Sequence, residues 1–280
     1  MKRIFLALLI PILLITGCAK APVTGRTQLI MLSPQQEMAL GFQAEREIFE
    51  SEKVTNDPRF VEPVQRVGHR IAKATGLDLD WKFYVIENDK VPNAFCLANG
   101  HVFVYTGLFK YIDNDAQLAT VMAHEIAHAI AHHVAERISV AQLTGIATAI
   151  AAEAIHSSAN EYQQLYEAAL GIGSQVGVML PYSRMQESEA DHIGLILMAE
   201  ACYDPREALK FWEKFAKANG GEEPIVYFST HPATKQRIEQ LKRLMPRAME
   251  IYKTCDRSRL TPVKSGEPYA ASSTLGERVD

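Results

Sequence analysis

The chain has 280 residues, of which 48% are hydrophobic and 22% are charged, and its formal net charge is -4. This length and apolar content are sufficient for one full hydrophobic core, with room for a small appendage. The charge balance provides no basic surface of the kind that binds nucleic acid, so we expect no nucleic-acid partner.

The N-terminus has the order of a bacterial export signal. Lys2 and Arg3 precede an apolar run over residues 4–15, and small residues follow as far as Cys18. The run is shorter than the roughly 20 residues that a spanning helix needs, so we predict a cleaved signal over residues 1–17. A plain secretory peptide or an uncleaved anchor is the alternative.

The ending ITGC resembles a bacterial lipobox, which implies that Cys18 becomes the lipid-bearing first residue of the mature chain. Ala19 follows it, and in a Gram-negative cell this favours the outer membrane over retention in the inner membrane. We therefore expect a protein anchored by lipid in the inner leaflet of the outer membrane and facing the periplasm. Residues 18–33, with proline and glycine, are expected to form the tether.

A domain is expected over residues 34–253, and its first elements are two helices and a small sheet. Ser33 and Pro34 are start signals for the first helix, and apolar spacing predicts a second helix over residues 58–74. Alternating residues favour a strand over residues 81–87. The turn at Asn99-Gly100 favours two short strands within residues 93–107.

The remainder is predicted to be helical as far as a polar tail. One helix begins near Asp113–Asp115, and three more are expected over residues 183–201, 205–218 and 232–253. Residues 140–179 are rich in alanine, but polar side chains interrupt them, which favours a core or lid helix over a membrane span. Residues 254–280 are expected to be a loosely ordered tail. The predicted fold class is α+β, mostly helical, with a small mixed or antiparallel sheet.

The stretch VMAHEIAHAIAHHVAER (121–137) contains the clearest chemical motif and holds four of the chain's nine histidines. His124 and His128 are four residues apart, so on a helix they project from one face and can bind one Zn²⁺. Glu125 lies beside them, in position to take a proton from an attacking water. The alternative, two core histidines and a surface glutamate, would bury imidazoles among Ala and Ile without partners.

The other two histidines of the stretch are not expected to contribute to this site. His132 would lie about 12 Å from His124 along the helix axis, and His133 would point in another direction. We expect zinc to stay bound when either is replaced. A metzincin is excluded, because Ala131 and Val134 stand where that class has Gly and His.

A carboxylate on a later helix can supply a third ligand. Glu187 and Asp191 are four residues apart in QESEAD and share a helix face. Glu187 can therefore bind the metal while Asp191 accepts the free N–H of a ligand histidine, which fixes the tautomer of that histidine. A solvated acidic helix start is the alternative interpretation.

HEIAH and the later segment SRMQESEAD (183–191) resemble the gluzincin metallopeptidase family of HtpX and the CAAX prenyl proteases. PVTGRTQLIMLS, VPNAF, YDPREALKFWEK and THPATKQRI are similar to its soluble periplasmic branch, typified by BepA and LoiP. About residues 20–250 are covered. The resemblance implies zinc at His124, His128 and Glu187, with Glu125 as base and Asp191 behind the ligands. It also implies a zincin-type fold in which an edge strand of the sheet lines the active-site cleft.

The resemblance further implies how a substrate is held and how the site is controlled. Asn93, Ala94 and Phe95 would form the edge strand, to which an extended peptide adds through backbone hydrogen bonds; a buried or hairpin-paired strand is the alternative. His231 would either occupy the open zinc position as an inhibitory ligand or stabilise the transition-state oxyanion. A helix-start histidine is the alternative there. Arg237 is assigned to substrate binding.

Three cysteines remain besides Cys18. In an oxidising periplasm one pair could bridge, but three is an odd number and none shows a metal-ligand spacing, so a disulfide is not favoured and the state of the three cysteines stays open. Cys96 and Cys202 depart from the family pattern. At Cys96, near the expected zinc, a small buried residue is favoured over a regulatory thiol.

The sequence therefore predicts a zinc-dependent endopeptidase of the bacterial envelope that cleaves unfolded or misassembled proteins, because such proteins can offer an extended strand. One alternative is a chaperone-like assembly factor for outer-membrane proteins, working with the outer-membrane assembly machinery and with its zinc site largely inhibited. Another is an integral membrane protease, which would require spanning helices.

Overall fold

The structure, a computed structural model, describes residues 18–151, 183–218, 227, 231 and 234–255, without the side chains of residues 18 and 144–151. The predicted signal over residues 1–17, most of the 140–179 segment, Pro232 and the tail from residue 256 lie outside these residues. The described part is mostly helical with two small sheets, which confirms the predicted α+β class.

Helices form most of the described chain. They are α1 (Pro34–Ser51), α2 (Pro58–Thr75), α3 (Asp115–Ile130), α4 (His133–Ala151), α5 (Arg184–Glu200), α6 (Arg206–Ala218) and α7 (Lys235–Thr254), with a 3₁₀ helix over Thr106–Tyr111. The strands are β1 (Cys18–Lys20), β2 (Thr27–Leu29), β3 (Lys82–Ile86), β4 (Ala94–Cys96) and β5 (His101–Tyr105).

Hydrogen-bonding side chains at the first turns fix where the helices of the site begin. Ser33 caps α1 and Ser183 caps α5, each in a capping box with the glutamine three residues on. Asn114 caps α3 by accepting from the backbone N–H of Gln117. The predicted starts of these helices are therefore confirmed.

The larger sheet has the order β3-β5-β4 and is mixed. β3 runs parallel to β5, and β4 is antiparallel to β5, with Phe95 opposite Phe103. Gly100 has φ +84°, which an L side chain adopts only with strain, and it closes the predicted Asn-Gly turn. The predicted strands are confirmed to within a residue or two.

α3 lies at the centre of the fold and carries the HEIAH segment. Every residue from Gln117 to His128 is buried, and the helix packs against α2, α5, α6 and the larger sheet. On α5, a Cβ at Gly194 would lie 3.1 Å from both the carbonyl carbon of Ala123 and the backbone nitrogen of His124. Glycine at this position therefore lets α5 approach α3 closely beside the first histidine of the motif.

α3 ends earlier than the sequence predicted. The helix stops at Ile130, His132 adopts φ +53°, and α4 begins at His133. The stretch carries no Gly or Pro to signal a break. Histidine is, however, one of the residues that enter the left-handed region more readily than most. The prediction of one continuous helix through His132 and His133 was wrong, and this change redirects both rings.

The segment predicted to be a tether contains an ordered hairpin. β1 and β2 pair antiparallel, and Gln28 is buried with its side-chain amide 2.6 Å from the carbonyl oxygen of Ala131. The backbone N–H of Met31 donates to Ser139 of α4. The hairpin is thus packed onto the start of α4, and its link to a lipid at Cys18 stays a prediction.

Two of the cysteines form a disulfide. Cys202, after α5, is bonded to Cys255, after α7, with a Cα–Cα distance of 5.6 Å. The sequence had not favoured a bridge and had left the pairing open, because spacing along the chain does not show that the ends of α5 and α7 meet. Cys96 is a free, buried thiol whose pKa is raised well above its usual value by burial and by the charge of Glu125.

Among the described helices, none combines the length and the apolar character that spanning a bilayer requires.

We expect Cys202→Ser, Cys255→Ser and the double variant each to lose about 4 kcal/mol of unfolding free energy. The bond joins residues separated by 53 positions, and closing a loop of that length removes roughly that much entropy from the unfolded chain. Guanidinium denaturation without reductant measures the change. A reductant should destabilise the wild type by the same amount and leave the variants unchanged. A double variant much less stable than either single variant would contradict the pairing.

Candidate metal centre

Four buried side chains converge where α3 faces α5. The Nε2 atoms of His124 and His128 lie 3.1 Å apart. Glu187 on α5 places Oε1 3.2 Å from His128 Nε2 and Oε2 3.5 Å from His124 Nε2. Nδ1 of His231 lies 2.9 Å from Glu187 Oε1 and 3.3 Å from His124 Nε2. The sequence-predicted ligands are therefore brought together, and His231 joins them.

The spacing of these atoms suits a tetrahedral zinc. One donor atom from each of the four residues lies within 4.8 Å of the others. Four ligands at the usual zinc bond lengths stand about 3.3–3.4 Å apart, close to the 2.9–3.5 Å observed between several of these atoms. Imidazole nitrogens with one carboxylate are also a donor set that zinc favours. The residues present fit the metal.

Asp191 and Arg237 support the first ligand. Oδ1 of Asp191 lies 3.1 Å from His124 Nδ1, the ring nitrogen that faces away from the other donors. Arg237 donates to Asp191 through Nε and Nη2, both at 2.7 Å, and its Nη1 lies 2.7 Å from Glu187 Oε2. Arg237 is thus buried behind the ligands and braces two carboxylates. Its assigned role in substrate binding stays a prediction.

Burial and charge set the protonation of this group. Burial raises the pKa of Glu187, but His231 and Arg237 lower it well below its usual value. Burial lowers the pKa of His124, but hydrogen bonds to Asp191 and Glu187 outweigh it and raise the value to about 9. Burial holds the pKa of His128 well below normal. The carboxylates are therefore ionised, and the site favours positive charge at the position they face.

Glu125 is held by a tyrosine that the sequence analysis did not identify. The buried Glu125 accepts a hydrogen bond at Oε1 from the hydroxyl of Tyr227, and its Oε2 lies 3.7 Å from His231 Nε2. Burial and the charge of Glu125 raise the pKa of Tyr227 well above its usual value, so the hydroxyl remains a donor. Tyr227 precedes His231 by four residues in the sequence, a spacing that can place two side chains on one side, but nothing in the sequence connects Tyr227 with Glu125.

The last two histidines of the stretch contact different parts of the structure. His132 places Nδ1 2.9 Å from Oε2 of Glu37, away from the four donors. His133 places Nδ1 2.9 Å from Nδ1 of His128 and Nε2 3.1 Å from Oε2 of Glu189. The expectation that His133 points away from the site was wrong, because the left-handed residue at the end of α3 turns its ring back.

An arginine from the N-terminal hairpin pairs with Glu189 and with a second carboxylate. Arg26 donates through Nε to Glu189 at 2.7 Å, and through Nη1 and Nη2 to Glu136 at 2.6 and 2.7 Å. Burial raises the pKa of Glu189, but hydrogen bonds from His133, Thr24 and Arg26 lower it to about 2. Glu189 is therefore a buried, fully ionised carboxylate.

The residues predicted to hold the substrate lie in and beside β4. Asn93, Ala94 and Phe95 are all buried, and the ring of Phe95 stacks on Phe103 with centroids 5.2 Å apart. Among the described strands, β4 pairs with β5 alone, so it is an edge of that sheet. It also packs against α3. A backbone role for these residues in substrate binding stays a prediction.

The family profile described as Peptidase family M48 matches residues 59–245, which include His124, His128, Glu187 and Arg237. The chain belongs to this family. The predicted family is thus confirmed, and with it the zinc cofactor expected of these four converging donors.

Several curated proteins are similar to this member of family M48. The mitochondrial metalloendopeptidase OMA1 of Schizosaccharomyces pombe is 38% identical over 69% of this chain and 55% of its own length. The human mitochondrial metalloendopeptidase OMA1 is 31% identical over 89% and 50%. The beta-barrel assembly-enhancing protease of Escherichia coli is 29% identical over 91% and 55%. The chain thus spans about half the length of each of these relatives.

We expect the stability supplied by Glu189 to disappear in acid. Its folded pKa of about 2 lies below the ordinary value of 4.5, so the carboxylate stabilises the fold above about pH 4.5 and less as pH falls towards 2. The difference in unfolding free energy between metal-free wild type and Glu189→Gln should be complete near pH 6 and shrink below about pH 4.5. Urea denaturation at a series of pH values measures it.

The exposed residue Glu50 on α1 offers a matched control for this titration. Glu50→Gln should differ little from the wild type throughout the series, because surface substitutions change stability by only about 0.5 kcal/mol or less. A Glu189→Gln difference that remained constant down to about pH 3 would contradict the assigned ion pairs.

Proposed function

We propose that this chain is a zinc-dependent endopeptidase of the bacterial cell envelope that cleaves unfolded or misassembled proteins. One observation carries the proposal: Glu125 lies buried beside the converging donors, with its carboxylate held by Tyr227 and facing His231. A purely structural zinc site has no need of a base in this position. Membership of a metallopeptidase family supports the same reading.

The residues of the site divide the work of hydrolysis among them. His124, His128 and Glu187 would hold the metal, which when bound supplies Lewis acidity and lowers the pKa of a coordinated water. Glu125 accepts the proton of the attacking water and returns it to the leaving amine. Asp191, fixed by Arg237, keeps the proton of His124 on Nδ1 and leaves Nε2 for the metal.

The position of His231 supports an inhibitory role over stabilisation of an oxyanion. A catalytic zinc has three protein ligands and an open fourth position, whereas His231 stands with its Nδ1 2.9 Å from Glu187 Oε1 as a fourth donor. The arrangement is therefore a closed one, and peptide binding requires His231 to leave. The same observation favours a second candidate function, an assembly factor for outer-membrane proteins whose zinc site is largely inhibited.

Three observations support a place in the bacterial envelope. The N-terminal order of charged, apolar and small residues ends at Cys18 in a lipobox-like sequence. The Cys202–Cys255 disulfide suits an oxidising compartment. The E. coli relative, named a beta-barrel assembly-enhancing protease, is similar over 91% of the chain. We therefore infer lipid anchoring at Cys18, the outer membrane as location and the outer-membrane assembly machinery as partner, in the branch of BepA and LoiP.

Substrate selection follows from β4. An unfolded protein can add an extended segment to a sheet edge through main-chain hydrogen bonds, which supply affinity without demanding a particular sequence. β4 lies against α3, the helix that carries Glu125 and two of the donors. We propose that substrates bind along Asn93, Ala94 and Phe95. The mitochondrial relatives, though more identical to this chain, are metalloendopeptidases by name, which agrees with this activity.

We expect Glu125→Gln to lower casein cleavage by about 10²-fold or more, because general acid–base catalysis contributes that much. Zinc content, measured by atomic absorption, should remain near one ion per chain, since the ligands are untouched. His132→Asn, adjacent to the motif but bound to Glu37, is the matched control and should cleave as the wild type does. Equal cleavage by wild type and Glu125→Gln would refute the endopeptidase. Full complementation of a deletion strain by Glu125→Gln would instead favour the assembly factor.

We expect His231→Ala to raise casein cleavage and to retain zinc, because three ligands remain and the fourth position opens. Steady-state cleavage rates, together with zinc content, measure both effects. A loss of cleavage by about 10²-fold with zinc retained would show instead that His231 stabilises the oxyanion.

A further inference from the structure

Each ligand histidine would bind the metal through Nε2, while its Nδ1 faces the protein. Behind His124, that nitrogen meets Asp191 at 3.1 Å. Behind His128, it lies 2.9 Å from Nδ1 of His133. The two ligands thus have different supports, and the one behind His128 is formed by a residue outside the HEIAH motif.

The proton positions of the second support follow from its contacts. When His128 Nε2 binds a metal, its proton is on Nδ1, so His128 donates and His133 Nδ1 accepts. His133 then carries its own proton on Nε2, which lies 3.1 Å from Oε2 of Glu189. Glu189 in turn accepts from Arg26 at 2.7 Å. A single direction of donation therefore satisfies these contacts from His128 through His133 to Glu189.

We propose that His133 is the positioning residue of the zinc ligand His128, and that Arg26 of the N-terminal hairpin holds it in place through Glu189. The proposal rests on the zinc site of the proposed function. It makes the hairpin part of the metal centre, although none of its residues reaches the metal.

The fold is built to hold this ring. His133 is fully buried at the start of α4, and the left-handed conformation of His132 directs it back towards α3. Glu189 lies two residues after Glu187 on α5. The same helix therefore presents the carboxylate of Glu187 to the metal and the carboxylate of Glu189 to His133. Arg26 also binds Glu136 through two nitrogens, which fixes its guanidinium.

Three variants separate this role from mere packing. His133→Phe keeps a buried ring of similar volume but removes both nitrogens. His133→Gln keeps one acceptor and one donor, so it is expected to restore most of the function. His132→Asn is the control, because Asn tolerates the left-handed conformation and the residue it replaces binds Glu37 instead.

The dissociation constant for zinc is measured by competition with a chromophoric chelator, without substrate. We expect His133→Phe to weaken zinc binding by about 10–100-fold, the usual effect of losing such a partner. His133→Gln should stay within about threefold of the wild type, and His132→Asn should match it. Arg26→Met should weaken zinc binding in the same direction but less, because Glu189 still accepts from His133.

Equal zinc affinity in His133→Phe and wild type would overturn the proposal, as would equal losses in His133→Phe and His133→Gln. If His133→Phe does not fold, shown by circular dichroism of the metal-free protein, Arg26→Met and His133→Gln decide. Unchanged affinity in Arg26→Met, or a large loss in His133→Gln, then refutes it. Because no peptide is cleaved in this assay, a protein that binds zinc as predicted yet never cleaves casein would refute the proposed function and leave this inference standing.

Discussion

The metal centre depends on two arginines that hold buried carboxylates in place. Glu187 and Asp191 are almost fully buried, and isolated charges in such surroundings are strongly destabilising unless they are paired. Arg237 binds both and lies over the ring of Trp212, 4.1 Å from its centroid. Its planar guanidinium can serve two carboxylates at once with fixed geometry, which a lysine cannot do. Removal of Arg237 would take a permanent cation away from both carboxylates, which otherwise contact histidine ring nitrogens.

The second arginine repeats this arrangement on the opposite side of α5. Arg26 binds Glu189 and Glu136 as Arg237 binds Asp191 and Glu187. α5 therefore carries acidic residues on two faces, each neutralised by an arginine from an element distant in sequence. A buried charge is strongly destabilising without its partner, so these ion pairs between distant parts of the sequence require both residues to be in position. The N-terminal hairpin and α7, at the two ends of the described chain, consequently fix one helix between them.

The features that the sequence predicted correctly are those that depend on residues close together along the chain. Two pairs of site residues could be recognised in this way: His124 with His128, and Glu187 with Asp191. The members of each pair are four residues apart, so on a helix they lie on one face. The caps of the helices and the Asn-Gly turn were equally local. The arginine partners, the disulfide and Tyr227 were not predictable in the same way, because each depends on which distant elements meet. The direction of the His133 ring depends on the left-handed conformation of His132, and no glycine in the sequence indicated that conformation.

Tyr227, His231 and Arg237 lie close together in the sequence, and each contacts a different part of the site. Tyr227 binds the general base, His231 stands among the metal donors, and Arg237 braces the ligand carboxylates. The backbone N–H of His231 donates to the carbonyl oxygen of Tyr227 at 2.8 Å, so the residue among the metal donors is directly bonded to the residue that binds the base. Arg237 lies beyond the cap of α7 at Thr234 and binds Asp191 and Glu187 through its own ion pairs, so its support of these carboxylates does not depend on the hydrogen bond between His231 and Tyr227.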